Sequence, residues 1–189
     1  YQANASGTFS TALGYQASAS SDRWSQAWGY QASASGRGSM ASGPIATASG
    51  DYSTASGYLA TASGDVSTAS GSGAAASGDY SQASGYDAKA SGTYSTASGY
   101  QSTASRTNSI AIGTNSRSDF AGATALGAGA IALQQQGSTA TSSITLGTAG
   151  SGETDYFLPG MADKPSAGTE YLVINQQGQV TTGTATLAP

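Results

Sequence analysis

Three aspartates spaced 14 residues apart are the side chains in this sequence with the clearest capacity for chemistry. Asp51, Asp65 and Asp79 each follow a glycine, and a repeating structure would stack them along one edge. Stacked carboxylates supply the oxygen ligands that Ca²⁺ takes, so a calcium ladder is one interpretation. The other is that each aspartate favours a bend by bonding its own backbone. The second interpretation is preferred because the Gly-Gly-x-Gly-x-Asp repeat of calcium-binding solenoids is absent. We therefore predict no metal ion or other cofactor.

Tyrosines recur with the same spacing and form two sets. Tyr52, Tyr80 and Tyr94 belong to one edge of a repeating structure, and the second set belongs to the other edge. Such tyrosines either stack on one another between turns or form an exposed aromatic edge that engages sugars or proteins. The candidate ligand-binding residues combine the second set with one cation and one tryptophan, and they are Tyr58, Tyr86, Tyr100, Lys89 and Trp24.

Other chemistry is largely excluded by composition. The chain has no histidine and no cysteine, which removes most nucleophile–base pairs and soft metal sites. Carboxylates on an exposed edge lack the enclosure that acid–base catalysis uses. Charged residues make up 8% of the chain and the net charge is −4, so there is no basic surface for nucleic acid. No apolar run approaches the roughly 18 residues of a membrane helix. We predict a non-enzymatic protein that neither binds nucleic acid nor inserts into a membrane.

These residues are positioned by a repeat of seven. Glycine occurs at every seventh residue from Gly29 to Gly99, position four is always Ser or Ala, and position six is Ala in every unit except the one with Ser118. Two kinds of seven alternate, so the true period is 14. We call units of the kind at Gly50 (Gly-Asp-Tyr-Ser-Thr-Ala-Ser) A units and those of the kind at Gly57 (Gly-Tyr-Leu-Ala-Thr-Ala-Ser) B units. So strict a period indicates a stacked solenoid.

The pattern of small residues predicts which way each side chain points. Successive side chains of a strand alternate between faces, so positions four and six share one face and positions five and seven the other. The face restricted to Ser and Ala must be the inside. The sequence therefore predicts an all-β, parallel β-roll with two short strands per 14-residue turn, each turn about 4.8 Å above the last.

A roll filled with alanine and serine buries little apolar surface. A buried methyl contributes about 0.8 kcal/mol, against about 1.5 to 3 kcal/mol for a Leu or Ile side chain. Large apolar residues instead occur at the outward positions of A units, whereas B units place Lys89, Arg117 and Asp119 there, although Ile131 and Leu133 break this rule near the end. We expect the A units to be covered by other copies of the chain and the B units to face water. The predicted interface residues are Leu13, Trp28, Met40, Ile110, Ile112 and Leu126.

One unit, residues 21–28, has eight residues instead of seven and contains both tryptophans, Trp24 and Trp28. One interpretation is a lengthened turn whose tryptophans fill a gap. The other is a local binding patch, since tryptophan is enriched at interfaces.

The repeat ends after Leu133. We predict a head of residues 1–147 and a small β module of residues 148–189, in which Tyr171–Asn175 and Gln179–Thr182 form a hairpin around Gly178. The chain also starts within a repeat, so we expect a fragment of a longer protein.

Asn108-Ser109-Ile110-Ala111-Ile112-Gly113 resembles the Asn-Ser-Val-Ala-Ile-Gly motif of YadA-type heads in trimeric autotransporter adhesins. The 14-residue repeats are similar to such a head along residues 1 to about 147, and Phe157-Leu158-Pro159-Gly160 resembles part of a short module of proteobacterial members. The resemblance implies a left-handed parallel β-roll, a homotrimer around one axis, and display on the bacterial surface as the passenger of an outer-membrane autotransporter. It also implies attachment to host matrix, host cells, other bacteria or abiotic surfaces.

Two other functions are compatible with a repetitive roll. Flat threonine rows on solenoids can bind ice, and Thr47, Thr61 and Thr103 recur on the B units, although Ala75, Lys89 and Arg117 interrupt the row. A phage or virus fibre built from the same repeat would share the trimer but not the bacterial surface.

Overall fold

The computed structural model describes residues 2–21 and 23–132, and beyond them the backbone of three strands at 144–146, 170–174 and 180–184. The chain divides into two compact units, residues 1–152 and residues 153–189. The described residues contain strands and turns and no α-helix. Nor does this part of the chain hold a helix with the length and apolar character needed to cross a membrane.

All the strands are short, and their lengths alternate along the first unit between two residues in B units and three in A units. In chain order the strands are β1 Asn4–Ala5, β2 Thr11–Leu13, β3 Ser18–Ala19, β4 Gln26–Trp28, β5 Ser33–Ala34, β6 Met40–Ser42, β7 Thr47–Ala48, β8 Thr54–Ser56, β9 Thr61–Ala62, β10 Thr68–Ser70, β11 Ala75–Ala76, β12 Gln82–Ser84, β13 Lys89–Ala90, β14 Thr96–Ser98, β15 Thr103–Ala104, β16 Ile110–Ile112, β17 Arg117–Ser118, β18 Thr124–Leu126, β19 Ile131–Ala132, β20 Ile144–Leu146, β21 Glu170–Ile174 and β22 Val180–Thr184.

The first unit is a solenoid of two parallel sheets. The strands of A units form one sheet, from β2 to β20, and those of B units form the other, from β1 to β19, with ten strands each. We call these the A sheet and the B sheet. Each strand pairs with the strand one turn later, so that Ala55 lies beside Ala69. The predicted parallel β-roll with two short strands per 14-residue turn is confirmed.

The extra residue of the eight-residue unit shifts the register once. Strands β2 and β4 pair with an offset of 15, as Ala12 beside Ala27, and the offset returns to 14 between β4 and β6. The lengthening lies in the bend, where the Ser21 hydroxyl donates to the carbonyl oxygen of Arg23. The strands on either side keep their inward and outward positions, so the sheets continue without a break.

The interior consists of alanine and serine, as the pattern predicts. Position-six alanines such as Ala55 and Ala62 are fully buried in both sheets, and Ser118, the exception, is also buried. At position four, A units contribute mainly serine and B units mainly alanine, for example Ser53 and Ala60. No space remains for a larger side chain between the two sheets, and this restriction explains the invariance of positions four and six.

The glycine at position one is crowded by the next turn in both kinds of unit, and in B units it also adopts a backbone angle that favours glycine. In B units its φ lies between 116° and 137°, as at Gly71, a region that only glycine enters readily. In A units φ lies outside that region and only the crowding applies: a Cβ at Gly64 would clash with the carbonyl oxygen of Gly78 one turn later, as a Cβ at Gly71 would with that of Gly85. The A units therefore carry one of the two restrictions and the B units carry both. The substitutions Ser21, Arg106 and Phe120 all fall in A units.

Position three adopts the left-handed backbone conformation in both kinds of unit. Tyr52 in an A unit has a φ of 55° and Leu59 in a B unit a φ of 56°. Asn108 and Asn115 suit this conformation, but Val66 and Ile45, with φ of 55° and 59°, are β-branched residues for which it is strained. The bend geometry is therefore imposed by the stack and not by local preference.

The second unit contains an antiparallel pair, β21 with β22, in which Leu172 lies beside Thr182. This pair confirms the predicted hairpin strands. The turn at Gly178, the end of the repeat at Leu133 and the Phe157–Gly160 motif lie outside the described residues.

Candidate functional site

The outward face of the A sheet, which we call the A face, carries apolar side chains near both ends of the described roll. Leu13 lies beside Trp28 at one end and Ile112 beside Leu126 at the other. These four side chains are exposed, while Met40 and Ile110 are half-buried. Between the two clusters, the A-sheet strands β8, β10, β12 and β14 present Thr, Ser and Gln. All six predicted interface residues thus lie on one face of one sheet, and the single chain leaves them uncovered.

Inside the A sheet a column of serine hydroxyls has no hydrogen-bond partner. These buried position-four hydroxyls belong to consecutive A units, at Ser25, Ser39, Ser53, Ser67, Ser81 and Ser95. Ser109 differs, because its hydroxyl donates to the carbonyl oxygen of Arg106 at 2.6 Å and accepts from the Arg106 N–H at 3.2 Å. The column therefore stabilises the fold less than its regularity suggests.

The aspartate ladder exists, but its bonding differs from the prediction. The Asp65 carboxylate accepts from the backbone N–H of Asp51 at 2.9 Å, and that of Asp79 from the N–H of Asp65 at 3.0 Å. Asp51 accepts in the same way from Arg37. The interpretation that each aspartate bonds its own backbone is wrong, because the acceptor reaches the N–H of the preceding turn, where the stacked bends bring the two together. In the described residues no three acidic side chains group closely enough to hold a metal ion.

The aromatic residues at position three of A units line one edge of the roll, the A edge. Tyr80 and Tyr94 stack with ring centroids 5.0 Å apart. Tyr52 is separated from Tyr80 by Val66 and instead faces the Arg37 guanidinium, 5.2 Å from its ring centroid. The three tyrosines of this edge thus each face another ring or a guanidinium.

The aromatic residues at position two of B units line the opposite edge, the B edge. Tyr86 and Tyr100 stack with centroids 5.2 Å apart and planes 10° apart. Tyr58, which sequence reasoning grouped with them, is separated from Tyr86 by Ser72. A further stacked pair, Tyr15 and Tyr30 at 5.5 Å, was missed. These two are 15 residues apart, and following the register through the eight-residue unit would have found them.

The two tryptophans of the eight-residue unit point outward. Trp24 lies in the A edge and is 50% exposed, and Trp28 lies on the A face and is 40% exposed. The tryptophans therefore do not fill a gap inside the roll, because both indoles are exposed. The lengthened turn itself is present.

The outward face of the B sheet, the B face, is narrower and more polar. Position five supplies its single row, in which Lys89, Arg117 and Ile131 are exposed. Arg117 pairs with Asp119 at 2.6 Å. The threonine row suggested by Thr47 and Thr61 is interrupted where the sequence indicates, so the face does not present a regular lattice for ice.

The Asn108–Gly113 motif spans positions three to seven of an ordinary A unit and the first glycine of the B unit that follows. Asn108 occupies the left-handed position, Ala111 is buried, and Ile110 and Ile112 lie on the A face. Each residue of the motif therefore has a structural role in the bend, the interior or the outward face.

Comparison with protein families agrees with this geometry. The family model of the YadA head domain repeat matches the chain over residues 1–23, 27–44, 34–60, 48–74, 76–102 and 90–116, which together make up more than half of it. The chain belongs to the YadA head domain repeat family. Members are non-enzymatic adhesins, their heads form trimers, and they bind surfaces or host molecules as extracellular passengers of autotransporters. Among curated proteins, none matches the chain.

Proposed function

We propose that this chain is the head of a trimeric adhesin displayed on a bacterial cell surface, where it attaches the cell to host matrix, host cells, other bacteria or abiotic surfaces. The observation that carries the proposal is the family match over the repeat. Residues 1–147 are the adhesive head, and residues 148–189 lead toward a stalk that joins it to the outer membrane.

The A face supplies the contact between the three copies. The alanine and serine interior buries only small side chains, so further apolar burial has to come from outside the chain. The exposed pairs Leu13–Trp28 and Ile112–Leu126 offer it at the two ends of the same face. Shared burial of both clusters by three copies around one axis removes these side chains from water.

Attachment itself requires no catalytic group, and none is assigned. The chain lacks the nucleophile–base pairs that histidine and cysteine provide. A stack of rigid, shallow surfaces repeated on three copies favours many weak contacts acting together, which is an effective way to hold a cell to a surface.

The test is adhesion of beads that carry the chain fused to a trimeric coiled coil. Beads are offered to matrix proteins, to cultured epithelial cells and to polystyrene, with beads carrying the coiled coil alone as the control. Retention under flow on at least one surface, well above the control, is the expected result. Retention no better than the control on every surface, with the fused chain shown to be folded, would contradict the proposal.

A further inference from the structure

The B edge contains one gap between large side chains. From Tyr15 to Tyr100 its rungs carry tyrosine or proline at position two, except at Ser72. Position three of that unit is Gly73, so both outward positions of the bend are small. The unit before supplies Tyr58 and Leu59, and the unit after supplies Tyr86 and Asp87. We call the space above Ser72 and Gly73, between these two pairs, the notch.

Aromatic rings border the notch on both sides. Tyr86 stacks on Tyr100 through the face turned away from Ser72, which leaves its other face toward the notch. Tyr58 lies two turns below Tyr86 and is 51% exposed, against 50% for Tyr86. Two turns span about 9.6 Å, while the stacked tyrosines along this roll are separated by 5.0 to 5.5 Å. The missing rung therefore leaves space for one ring, and not for two.

A carboxylate without a partner reaches into the notch. A Cβ added at Gly73 would lie 2.5 Å from Asp87 Oδ1, so the carboxylate lies directly over the glycine. Asp51, Asp65 and Asp79 all accept backbone N–H groups, and Asp119 pairs with Arg117. Asp87 takes part in none of the hydrogen bonds or ion pairs among the described side chains. Its oxygens are free to accept from a ligand.

We propose that the notch binds one hexose ring of a neutral glycan. The C–H faces of a hexose pack on tyrosine rings, and its hydroxyl groups donate to a carboxylate and exchange hydrogen bonds with a serine hydroxyl. An aromatic ring without a hydrogen-bond donor in the same place would cover Asp87 and leave its carboxylate unpaired, which is unfavourable. An acidic sugar would be repelled by Asp87 on a chain of net charge −4.

The inference rests on the proposed function, because a subsite for a single ring becomes effective on a trimeric head that meets many glycans at once. It names the chemistry by which such a head would recognise a glycan-bearing surface. Lys89 follows on strand β13 and lies on the B face beside Ala75, a residue of the same unit as Ser72 and Gly73.

The test compares wild type with three variants in saturation-transfer NMR. The probes are lactose and maltose as neutral sugars, N-acetylneuraminic acid as an acidic sugar, and N-acetyltyrosinamide as an aromatic side chain. S72Y supplies the missing rung and fills the notch. T114Y adds a tyrosine beside Tyr100 at the equivalent position of a later B unit and leaves the notch open, so it is the matched control. D87N keeps the shape of the notch and removes the charge.

We expect wild type and T114Y to bind a neutral sugar with dissociation constants within about twofold of each other, S72Y to lose binding, and D87N to bind roughly tenfold more weakly. Circular dichroism and sedimentation confirm that each variant is folded. Equal binding by S72Y and wild type would overturn the inference, and so would binding of N-acetyltyrosinamide or of the acidic sugar in preference to neutral sugars.

The same preparation is used in the bead assay, which separates the two claims. Wild-type beads that adhere while the protein binds no neutral sugar would overturn the notch and leave the proposed function standing. Binding of a neutral sugar at the notch without adhesion to any surface would support the notch and overturn the adhesin.

Discussion

The A face and the B face cover the same narrow interior but differ in what they present. Near the end of the described roll, Leu126 on the A face and Ile131 on the B face are 44% and 42% exposed in the single chain. Leu126 lies beside Ile112 in a cluster, whereas Ile131 lies beside Arg117. Equal exposure therefore has different consequences, because one side chain belongs to a shared apolar surface and the other borders a charged pair.

This difference shows which positions of the repeat distinguish one surface of the roll from another. Positions four and six are confined to Ser and Ala in both sheets, so they give the roll its shape and nothing else. The outward positions vary, and they decide which face is covered and which meets solvent. The edges also vary, and the B edge carries both stacked tyrosines and the small pair Ser72–Gly73.

The largest expected effect comes from placing a charge on each face in turn. Leu126→Asp puts a carboxylate into the apolar surface that three copies share, at a cost of roughly 3 to 5 kcal/mol for an uncompensated buried charge. We expect the trimer to be lost. Ile131→Asp is the matched control, and it stays trimeric because its face remains in water. Sedimentation of both variants gives the answer, and a trimeric Leu126→Asp or a dissociated Ile131→Asp would reverse the assignment of the faces.

A smaller effect distinguishes the serines inside the A sheet. Ser109→Ala removes both hydrogen bonds to Arg106, and we expect the free energy of unfolding to fall by about 1 to 3 kcal/mol. Ser53→Ala removes a hydroxyl that has no hydrogen-bond partner and places alanine at position four, as in most B units. We expect it to be neutral or stabilising. Chemical denaturation measures the free energy of unfolding of both variants. Equal losses would show that the buried serine hydroxyls of the column are hydrogen-bonded.

The smallest effect concerns the bends, which are alike in the two kinds of unit. Val66→Asn in an A unit and Ile45→Asn in a B unit each replace a β-branched residue at positive φ with one that tolerates it. We expect each to raise the free energy of unfolding by about 1 kcal/mol. Thermal unfolding followed by circular dichroism measures the gain. A gain at one site only would show that the two bends are not equivalent.

Periodicity predicted the parts of this fold that depend on which way a side chain points. Ala55 and Ala62 were assigned to the interior, and Leu126 to an outward position, because a strand alternates its faces. The left-handed bend at Val66 was not predictable, since position three accepts Tyr, Leu, Val, Asn and Gly, and no residue preference reveals an angle that the stack imposes.

The candidate sites depended more on contacts between turns. Asp65 was correctly placed in a ladder, but its partner is a backbone N–H one turn away, which spacing alone does not identify. The small pair Ser72–Gly73 is visible in the sequence, yet its meaning depends on the rings of Tyr58 and Tyr86 on either side and on the unpaired Asp87. The notch is therefore recognised only once these neighbouring side chains are placed by the structure.

The most direct test of the central claim is the molar mass of the folded chain by sedimentation equilibrium, with circular dichroism confirming β structure. The account predicts a mass three times the 18.4 kDa of one chain, because the A face is buried by two further copies. A folded monomer at 18.4 kDa would contradict it, since the alanine and serine interior would then suffice and the apolar clusters of the A face would need another explanation.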